Sequence, residues 1–415
     1  MQIDCSTTPT ISAPHEGITV NHNELAPAAG MPRRDFLRNS ILLALPLATG
    51  SAMALTVKTG GSLAASELVY VPPTRARGSA VIDVRNYGAR GDGVHDDTAA
   101  IQTAINALPS TGGTIEVPAG IYMIDAVRSL NLRNYMHMKL APDAQLVAKP
   151  NSADKYSVLR LEIIHDVEIS GGQIIGERDQ HTGTTGEAGH GIVVKGSSRI
   201  TIRDMRLSKG WGDGISVGPR PQYKKNFIYS RDVAVANVVC TGNRRNGLSI
   251  TNVIGMKVYD SEFSDTHGTK PECGIDVEPN GDIDGLGYND QVRIENCVMR
   301  GNAKYAINVW NRARNLTVTK CTMENNKYGL VSTGLNSGTF THNLICNHRR
   351  TGMHIKVGTR NVDISGNVSY KNYLDQGTTM RLQPFYLTGT STKVQKDLIV
   401  GTGTSDIRVG SNYYK

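Results

Sequence analysis

The segment GHGIVV at residues 189–194 is the first of seven similar segments that decide the fold. Aligned on their third residue, the others read GDGISV (212–217), RNGLSI (245–250), ECGIDV (272–277), KYAINV (304–309), KYGLVS (327–332) and RTGMHI (350–355). Successive segments lie 23, 33, 27, 32, 23 and 23 residues apart. A base period of 23 residues with insertions predicts a solenoid in which each repeat forms one coil.

Each coil also carries a second apolar segment, such as ITIRDMRL at 200–207 and LTVTKCTM at 316–323. These segments are short, Gly and Asn separate them, and they show no 3.6-residue periodicity, which favours strands over helices. The sequence therefore predicts an all-β fold, namely a single-stranded right-handed parallel β-helix of about 23 residues per coil.

Side chains that alternate inward along the strands are apolar in nearly every coil, so we expect buried columns. The first column contains Ile192, Ile215, Leu248, Ile275, Ile307, Leu330 and Met353. The second contains Val194, Val217, Ile250, Val277, Val309, Ser332 and Ile355. The third, from the second strand, contains Leu207, Cys240, Phe263, Met299, Met323 and Cys346.

The cysteines after residue 54 lack C-x-x-C spacing, which argues against a zinc site. Most fall in or beside the third column, where a small buried thiol fits. Cys297 and Cys321 fall one column earlier, two residues before Met299 and Met323 on neighbouring coils. A disulfide between these two is the alternative to buried free thiols.

An amphipathic segment near residue 100 predicts a short helix that caps the N-terminal end of the coils. Asp97 is the expected N-cap, and Pro109 with the following Gly pair at 112–113 ends the helix. Short strands are expected at 114–117 and 122–124. The apolar face of the helix contains Ala100, Ile101, Ala104, Ile105 and Leu108.

The stretches VRNYGARGDGVHDDTAAIQTAIN (84–106), GGTIEVPAGIY (112–122) and ISGGQIIGE (169–177) carry a family likeness. They resemble the N-terminal cap and first coils of the pectate-lyase-like β-helix superfamily, over roughly residues 81–370. The resemblance implies activity on polysaccharides, often acidic ones. It carries no catalytic assignment, because the coils lack both the Asp-Asp pair of polygalacturonases and the D-P-H motif of alginate epimerases.

The outward positions of the first strand suggest where the chemistry lies. Asp276 and Glu278 share one strand face, two residues and about 6.8 Å apart, close to the spacing of catalytic carboxyls in inverting glycosidases. We expect them, with Asp213 in a supporting role, to be the catalytic carboxyls. The expected substrate-binding residues are His190, Arg245, Asn246, His267, Lys270, Asn308, Trp310, His354 and Lys356.

Three insertions, at 219–232, 265–272 and 279–290, adjoin these positions, and insertions in a solenoid tend to mark its binding face. Other interpretations of the carboxyl pair stay open. It could be a surface pair neutralised by Lys356 or Arg245, or a calcium site completed by Asn280, Asp282 and Asp284. No other cofactor is expected.

Three functions follow from these residues. The first is a polysaccharide hydrolase that uses the carboxyl pair. The second is a lyase or uronate epimerase, in which Lys270, Lys356, Arg245 or His267 serves at the reacting uronate. The third is a carbohydrate-binding β-helix without catalysis.

Residues 31–54, MPRRDFLRNSILLALPLATGSAMA, resemble a twin-arginine export signal. Arg33 and Arg34 precede an apolar run, and Ala52-Met53-Ala54 fits a cleavage site. The prediction is a signal region at 1–54, with Met31 as an alternative start, and a periplasmic or extracellular protein. The remaining boundaries are a linker at 55–80, the β-helix at 81–375 and a C-terminal cap or tail at 376–415.

The composition of the 415 residues fits this interpretation. The hydrophobic fraction of 39% excludes a disordered chain, and the 44 Gly residues without a G-X-Y period exclude collagen. The formal net charge of +8 suggests an anionic partner. An acidic polysaccharide suffices, so neither nucleic acid nor a membrane is invoked. For the oligomeric state we expect a monomer or an oligomer, with no preferred number of subunits.

Overall fold

The computed structural model describes residues 70–222, 227–279, 287–372, 385–387, 393–395 and 397–414. The predicted signal region 1–54 and residues 55–69 of the predicted linker lie outside this set. The described residues belong to a compact unit that extends over residues 69–415. They form a parallel β-helix, which confirms the predicted fold class.

The first face of the β-helix is an 11-stranded sheet, parallel except for its final pair. Its strands are Leu130–Asn131, Lys155–Glu162, Ala188–Lys195, Ile215–Gly218, Asn246–Ile250, Cys273–Val277, Tyr305–Trp310, Tyr328–Thr333, Met353–Ile355, Leu398–Val400 and Lys393–Gln395. We call it the site sheet.

The other two faces share one 23-stranded sheet, because two long strands, Ser198–Ser208 and Ser230–Thr241, run through both. The second face also contains Ala80–Asp83, Gly113–Val117, Met136–Leu140, His165–Ser170, Val253–Tyr259, Asn289–Glu295, Ala313–Thr319, Asn336–Thr341, Arg360–Ser365, Phe385–Leu387 and Ser405–Val409. The third also contains Asp92–Asp96, Gly120–Ile124, Ala144–Ala148, Gln173–Ile175, Glu262–Ser264, Val298–Arg300, Thr322–Glu324, Leu344–Cys346, Val368–Tyr370 and Tyr413–Tyr414.

The chain turns between faces at residues in the left-handed backbone conformation, which Gly, Asn and Asp adopt most readily. One such residue recurs at the same corner of successive coils. One corner column runs through Asp166, Arg199, Asp232, Gly255, Gln291, Asn315, Ser337, Asn361 and Asp406. The corner between the second and third faces runs through Gly171, Asp204, Asn237, Asp260, Asn296, Lys320, His342 and Gly366.

The predicted inward columns of the site sheet are confirmed. Ile192 pairs with Ile215, and Val194 with Val217, and the same register continues to Met353 and to Ile355. Every residue of both columns is buried. These columns fill the interior of the coils with branched side chains.

The third predicted column is correct up to Met323 and wrong at its end. Ile345 pairs with Met323, and Cys346 pairs with the outward Glu324. The register is thus one residue away from the sequence alignment, and the backbone amide of Cys321 donates to Asn343 Oδ1 in this arrangement. Cys346 is nevertheless buried.

The five described cysteines, Cys240, Cys273, Cys297, Cys321 and Cys346, are buried free thiols. This confirms the favoured interpretation. The alternative disulfide between Cys297 and Cys321 is wrong: both thiols donate to backbone carbonyls, Cys297 to Glu295 and Cys321 to Thr319.

The α-helix Thr98–Asn106 caps the coils, with Ile101, Ala104 and Ile105 buried. Asp97 stands at the N-cap position, but its carboxylate accepts from the backbone amides of Arg90 and Gly91. The carboxylate that accepts from the first helical amide, that of Thr98, belongs to Asp96. The prediction of Asp97 as the capping side chain is therefore wrong by one residue. No helix in the described ranges has the length and apolar character that a bilayer crossing requires.

The end of the predicted linker is packed on the second face. Arg77 binds Glu168 at 2.9 Å, Arg75 donates to Thr201 Oγ1 at 2.8 Å, and the ring of Tyr70 stacks on Tyr259 at 3.8 Å. These three partners belong to three different coils. We call residues 70–78 the strap, because the side chains of this part of the predicted linker bind the sheet.

Candidate functional site

The outward side chains of the site sheet form parallel columns, because each strand pairs with the next in constant register. One column, which we call the central column, contains Val193, Ser216, Ser249, Asp276, Asn308, Val331 and His354. This confirms the predicted alignment. The expected catalytic residue Asp276 and the expected binding residue Asn308 are therefore neighbours on adjacent strands.

Asp276 is buried among polar groups, with 2% of its surface exposed. Its Oδ1 accepts a hydrogen bond from Asn308 Nδ2 at 2.8 Å, and its Oδ2 lies 3.5 Å from Asn246 Nδ2. Burial and the nearby Glu278 carboxylate raise the pKa of Asp276 to about 7. Side-chain amides of two neighbouring coils therefore face the two oxygens of this carboxyl group.

Glu278 follows the strand Cys273–Val277 and is half-buried. Its backbone amide donates to the carbonyl of Ile250 at 3.1 Å, which continues the pairing with the previous coil. Positions two residues apart on a strand face the same side, about 6.8 Å apart. Glu278 is thus the more accessible carboxyl of the pair, and Asp276 the more buried one.

Asp213 and Arg245 form a second charged pair beside the central column. Arg245 Nη1 lies 3.3 Å from both oxygens of Asp213 and also 3.3 Å from Ser249 Oγ. The side chain of Asp213 is 1% exposed and that of Arg245 is 21% exposed. Although burial disfavours the cation, the carboxylates of Asp213 and Asp276 raise the pKa of Arg245. Asp213 therefore pairs with Arg245 on its buried side and is itself shielded from solvent.

His190 lies on the other side of Asp213. Its Nδ1 accepts a hydrogen bond from the backbone amide of Asp213 at 3.0 Å. Burial lowers the pKa of His190, so the ring is neutral and its proton sits on Nε2. Nδ1 also lies 3.4 Å from Asp213 Oδ2, so both the backbone amide and the carboxylate of Asp213 face this nitrogen.

Toward the C-terminal coils, Trp310 is 48% exposed and pairs with Thr333 on the next strand. His354 lies two strands beyond Asn308 in the central column, roughly 10 Å away at the usual strand spacing. Lys356 follows it, half-buried. Burial and Lys356 lower the pKa of His354. These two residues belong to the same face as the carboxyl pair but not to its immediate surroundings.

His267 and Lys270 lie in the loop between Ser264 and Cys273, and both are exposed. His267 Nε2 is 2.6 Å from Arg178 Nη2, and its Nδ1 is 2.9 Å from the carbonyl of Asp265. The structure thus groups His267 with Arg178, whereas His190, Asp213, Arg245, Asn246, Asp276 and Asn308 form one continuous polar network.

Two features of this face escaped the sequence analysis. The first is a stack in which His181 lies 3.9 Å from the Trp211 ring and Arg244 lies 3.7 Å over that ring. His181 also contacts Glu177 at 2.9 Å. Since His181 and Arg244 both pack on Trp211, the stack fixes the turn before Arg245. The sequence signal was Trp211 directly before the G-D-G segment.

The second feature is a repeated Lys-Tyr pair on two successive coils, Lys304-Tyr305 and Lys327-Tyr328. Each lysine ammonium lies over the ring of its own tyrosine, at 4.7 Å and 5.9 Å from the centroid. The signal was present in the sequence, because KYAINV and KYGLVS begin alike.

The calcium alternative rests on residues that are outside the described set, namely Asn280, Asp282 and Asp284. Within the described ranges, no three His, Cys, Asp or Glu side chains are grouped as a metal site would require. Asp276 and Glu278 alone supply too few oxygen ligands for calcium.

Two family sequence models match the chain. The model described as rhamnogalacturonase A/epimerase, pectate lyase-like, matches residues 81–158, and the right-handed β-helix region model matches residues 190–369. The first match contains the capping helix, and the second contains the polar network of the site sheet.

Among curated proteins, the uncharacterized protein YclG of Bacillus subtilis is 31% identical over 56% of this chain and 44% of its own length. An exo-poly-alpha-D-galacturonosidase of Dickeya chrysanthemi is 33% identical over 31% of this chain and 20% of its own length. The mannuronan C5-epimerase AlgE1 of Azotobacter vinelandii is 26% identical over 70% of this chain and 15% of its own length. The chain thus spans less than half the length of these relatives.

Two solved structures share the fold at low identity. The mannuronan C-5 epimerase AlgE6 A-module of Azotobacter vinelandii has a TM-score of 0.54 and 16% identity, over 80% of this chain and 99% of that one. PfbA, a surface adhesin of Streptococcus pneumoniae, has a TM-score of 0.54 and 15% identity, over 70% and 85%. The cap, the coils and both family models agree: the chain is a right-handed parallel β-helix whose N-terminal residues match the pectate-lyase-like model.

Proposed function

We propose that the protein is an enzyme that hydrolyses glycosidic bonds of an acidic polysaccharide, with Asp276 as general acid and Glu278 as its partner carboxylate. The observation that carries the proposal is the environment of Asp276. A buried carboxyl with a pKa of about 7, two residues from a more accessible carboxyl, is suited to donate a proton near neutral pH.

In this mechanism Asp276 protonates the glycosidic oxygen as the bond to the anomeric carbon breaks. Glu278 removes a proton from the water that attacks that carbon, so the water completes the hydrolysis and the proton balance closes. The Cα spacing of about 6.8 Å is closer to the carboxyl separation of inverting enzymes than to the shorter one of retaining enzymes. The expected product therefore has the opposite anomeric configuration to the substrate.

Arg245 supports the choice of an acidic substrate. Asp213 and Ser249 engage its Nη1, and its exposed fraction leaves donors for a uronate carboxylate. His190 adds a neutral donor at Nε2. Trp310 offers an exposed ring for sugar stacking, and Lys356 with His354 lies farther along the same face. We assign these residues to substrate binding.

A uronate epimerase or lyase is the second candidate, because the likeness to a mannuronan C5-epimerase extends over 70% of the chain. Such a reaction removes the C5 proton of the sugar and needs a base with a free lone pair. A binding protein without catalysis is the third candidate, since a surface adhesin shares the fold.

One experiment separates the three functions. The purified protein is incubated with polygalacturonate, alginate and neutral dextran. New reducing ends without ultraviolet absorbance indicate a hydrolase, and new ends with absorbance of an unsaturated uronate indicate a lyase. A change of the C5 configuration by NMR, without chain cleavage, indicates an epimerase. Binding without any of these changes indicates the third candidate.

Two variants test the assignment within a hydrolase. Asp276→Asn and Glu278→Gln should each lower kcat by about 100-fold or more. Glu116→Gln, which changes an exposed carboxylate paired with Lys139 on the second face, is the matched control and should keep full activity. Undiminished activity in both site variants would contradict the assignment of Asp276 and Glu278 as the catalytic carboxyls.

We also propose that the protein is exported, on the strength of the sequence signal in residues 31–54. An extracellular or periplasmic location would bring the site to polymeric substrates. Replacing Arg33 and Arg34 with Lys should retain the protein in the cytoplasm, and fractionation with immunoblotting measures this. Unchanged export of the variant would exclude the twin-arginine route.

A further inference from the structure

A column of basic residues occupies one position on three successive coils of the site sheet, and it begins one coil beyond Asp276. The backbone amide of Tyr328 donates to the carbonyl of Lys304 at 2.8 Å, and that of Arg350 donates to Lys327 at 2.8 Å. Because Tyr305 pairs with Tyr328 and Leu330 with Met353, Lys304, Lys327 and Arg350 occupy equivalent positions on successive coils. Neighbouring strands are about 4.8 Å apart, so the column offers one cation per coil at that rise.

A column of tyrosines accompanies the two lysines. Tyr305 pairs with Tyr328 in the sheet, and their ring centroids are 5.4 Å apart with planes inclined by 31°. Because the rings pack on each other along the coil axis, the ring faces between them are covered, and the phenol hydroxyls remain for a ligand. Each of the two coils therefore presents one ammonium and one hydroxyl at the same place.

This double column adjoins the carboxyl pair. Tyr305 pairs with Cys273, which lies three residues before Asp276 on the same strand. Asn308, the hydrogen-bond partner of Asp276, lies three residues after Tyr305. The first Lys-Tyr pair thus begins one coil beyond the catalytic carboxyls, and the second follows one coil later.

The charges of this strip are available for an anion. In the described part of the chain, the ammonium groups of Lys304 and Lys327 contact tyrosine rings, and a cation over a ring keeps its charge and several donors. Both side chains are half-buried, so part of each reaches solvent. By contrast, Arg245 lies two coils before Lys304, with Glu272 at the equivalent position between them, and it has the buried partner Asp213.

We propose that Lys304-Tyr305 and Lys327-Tyr328 are successive subsites for a polyuronate that lies parallel to the coil axis, with one uronate per coil. The inference rests on the proposed function and adds the class and direction of the substrate. The rise per coil is close to the length of one pyranose unit, so each ammonium meets the carboxylate of one sugar while the phenol binds its hydroxyl. A polymer with a carboxylate on every sugar satisfies both subsites at once.

Binding is measured by calorimetry with polygalacturonate and alginate, in the Asp276→Asn background so that no turnover interferes. Lys304→Met with Lys327→Met should weaken affinity about tenfold at low salt and reduce its salt dependence. Tyr305→Phe with Tyr328→Phe keeps the rings and should weaken it about threefold. The control removes two exposed lysines elsewhere, Lys257→Met with Lys371→Met, and should bind like the parent.

Unchanged affinity in the Lys304/Lys327 variant, with the fold verified by circular dichroism, would overturn the subsites. Equal binding of neutral dextran, or lysine-dependent binding of an oligonucleotide at matched affinity, would overturn the substrate class. A different result would contradict the proposed function but not the subsites. In that case the protein with all catalytic residues intact would bind polygalacturonate through both lysines yet release no reducing ends. If Asp276→Asn abolishes turnover but binding does not depend on the two lysines, the hydrolase proposal is supported and the subsite proposal is contradicted.

Discussion

The protonation of Asp276 follows from a few contacts around one carboxyl group. Burial removes water from the carboxylate, and Glu278 adds a like charge, so both raise the pKa. The hydrogen bond from Asn308 and the charge of Arg245 oppose the rise without cancelling it. The sequence could predict the pair from its i, i+2 spacing. It could not predict the extent of burial, which depends on side chains from neighbouring coils.

The pKa of Asp276 predicts opposite effects of Asp276→Asn on activity and stability. Activity of the parent should fall as pH rises through about 7, because the acid must be protonated, and the variant should lose kcat by about 100-fold or more. The folded state keeps a proton that the unfolded chain releases between the ordinary value of 3.8 and about 7. The parent therefore loses stability across that range as pH rises.

An asparagine side chain does not titrate, so Asp276→Asn should not lose stability as pH rises through this range. Its side-chain oxygen can still accept the hydrogen bond from Asn308. The melting temperature of Asp276→Asn should thus exceed that of the parent most above pH 7, and the difference should shrink toward pH 4. Thermal melts at several pH values measure it. A constant difference at all pH values would contradict the assigned pKa.

Asp213 and Arg245 should respond unequally to substitution. Arg245→Met leaves the buried Asp213 carboxylate without its partner and should cost about 3–5 kcal/mol of unfolding free energy. Asp213→Asn should cost less, since Arg245 reaches solvent. The double variant should be more stable than the sum of the single losses predicts, by more than about 1 kcal/mol. Denaturant titrations of the four proteins give this coupling.

A role in positioning requires a second result from the same variants. Asp213→Asn should raise the KM for polygalacturonate more than it lowers kcat, because Asp213 pairs directly with Arg245 and is the smallest of the named influences on the pKa of Asp276. An equal loss of stability with an unchanged KM would mean that the pair only supports the fold.

At the scale of strands and turns, most of the coil could be predicted because the pattern is local and repeated. Branched side chains at alternating positions specify the inward face, and Gly, Asn or Asp at the corners permits the left-handed conformation. The misplaced Cys346 shows the limit. Its register is accompanied by a hydrogen bond between Cys321 and Asn343, which are 22 residues apart in sequence, so no local pattern predicts the contact.

A ladder of buried side chains at one corner shows the same long-range control. The backbone amide of Asn302 donates to Asn326 Oδ1, that of Asn326 to His348 Nδ1, and that of His348 to Asn372 Oδ1. A histidine thus stands where neighbouring coils carry asparagine. Burial lowers the pKa of His348 from 6.5 to about 3, so the ring is neutral in the folded protein.

His348 should make the fold sensitive to acid. As pH falls below 6.5, the unfolded chain binds a proton that the folded chain refuses, so stability should fall by up to about 1.4 kcal/mol per pH unit. His348→Asn keeps an acceptor for Asn326 and removes the titration. Denaturant titrations at pH 7 and pH 5 should show a smaller acid loss in the variant. An equal loss in both proteins would contradict this role.

At the scale of the whole molecule, the family, the coil architecture and the capping helix were accessible from sequence, whereas the strap was not. Residues 70–78 show no periodicity, and their partners Glu168, Thr201 and Tyr259 lie about 90 to 190 residues later. Likewise, the spacing of the aligned segments placed Asp276 beside Asn308, but it could not show that Asp213 lies under Arg245.

The strap should contribute measurably to stability. Arg75 is buried and donates to Thr201 and Asp232, so Arg75→Met should lower the unfolding free energy by about 2 kcal/mol. Arg128→Met, at an exposed arginine, is the control and should stay within about 0.5 kcal/mol of the parent. Chemical denaturation compares the three proteins, and equal stability of all three would show that the strap is dispensable.

The strap also has an evolutionary consequence. A solenoid can gain or lose a coil by duplication or deletion, because each coil contacts only its neighbours. The strap contacts Glu168, Thr201, Asp232 and Tyr259, which lie at fixed distances along the coils. Insertion or deletion of a coil between these residues would therefore move some of them away from their partners in the strap. Descendants of this gene should therefore vary in length mainly beyond Tyr259, among the coils that carry the lysines and tyrosines, where each added coil would lengthen the grip on a polymer by one sugar.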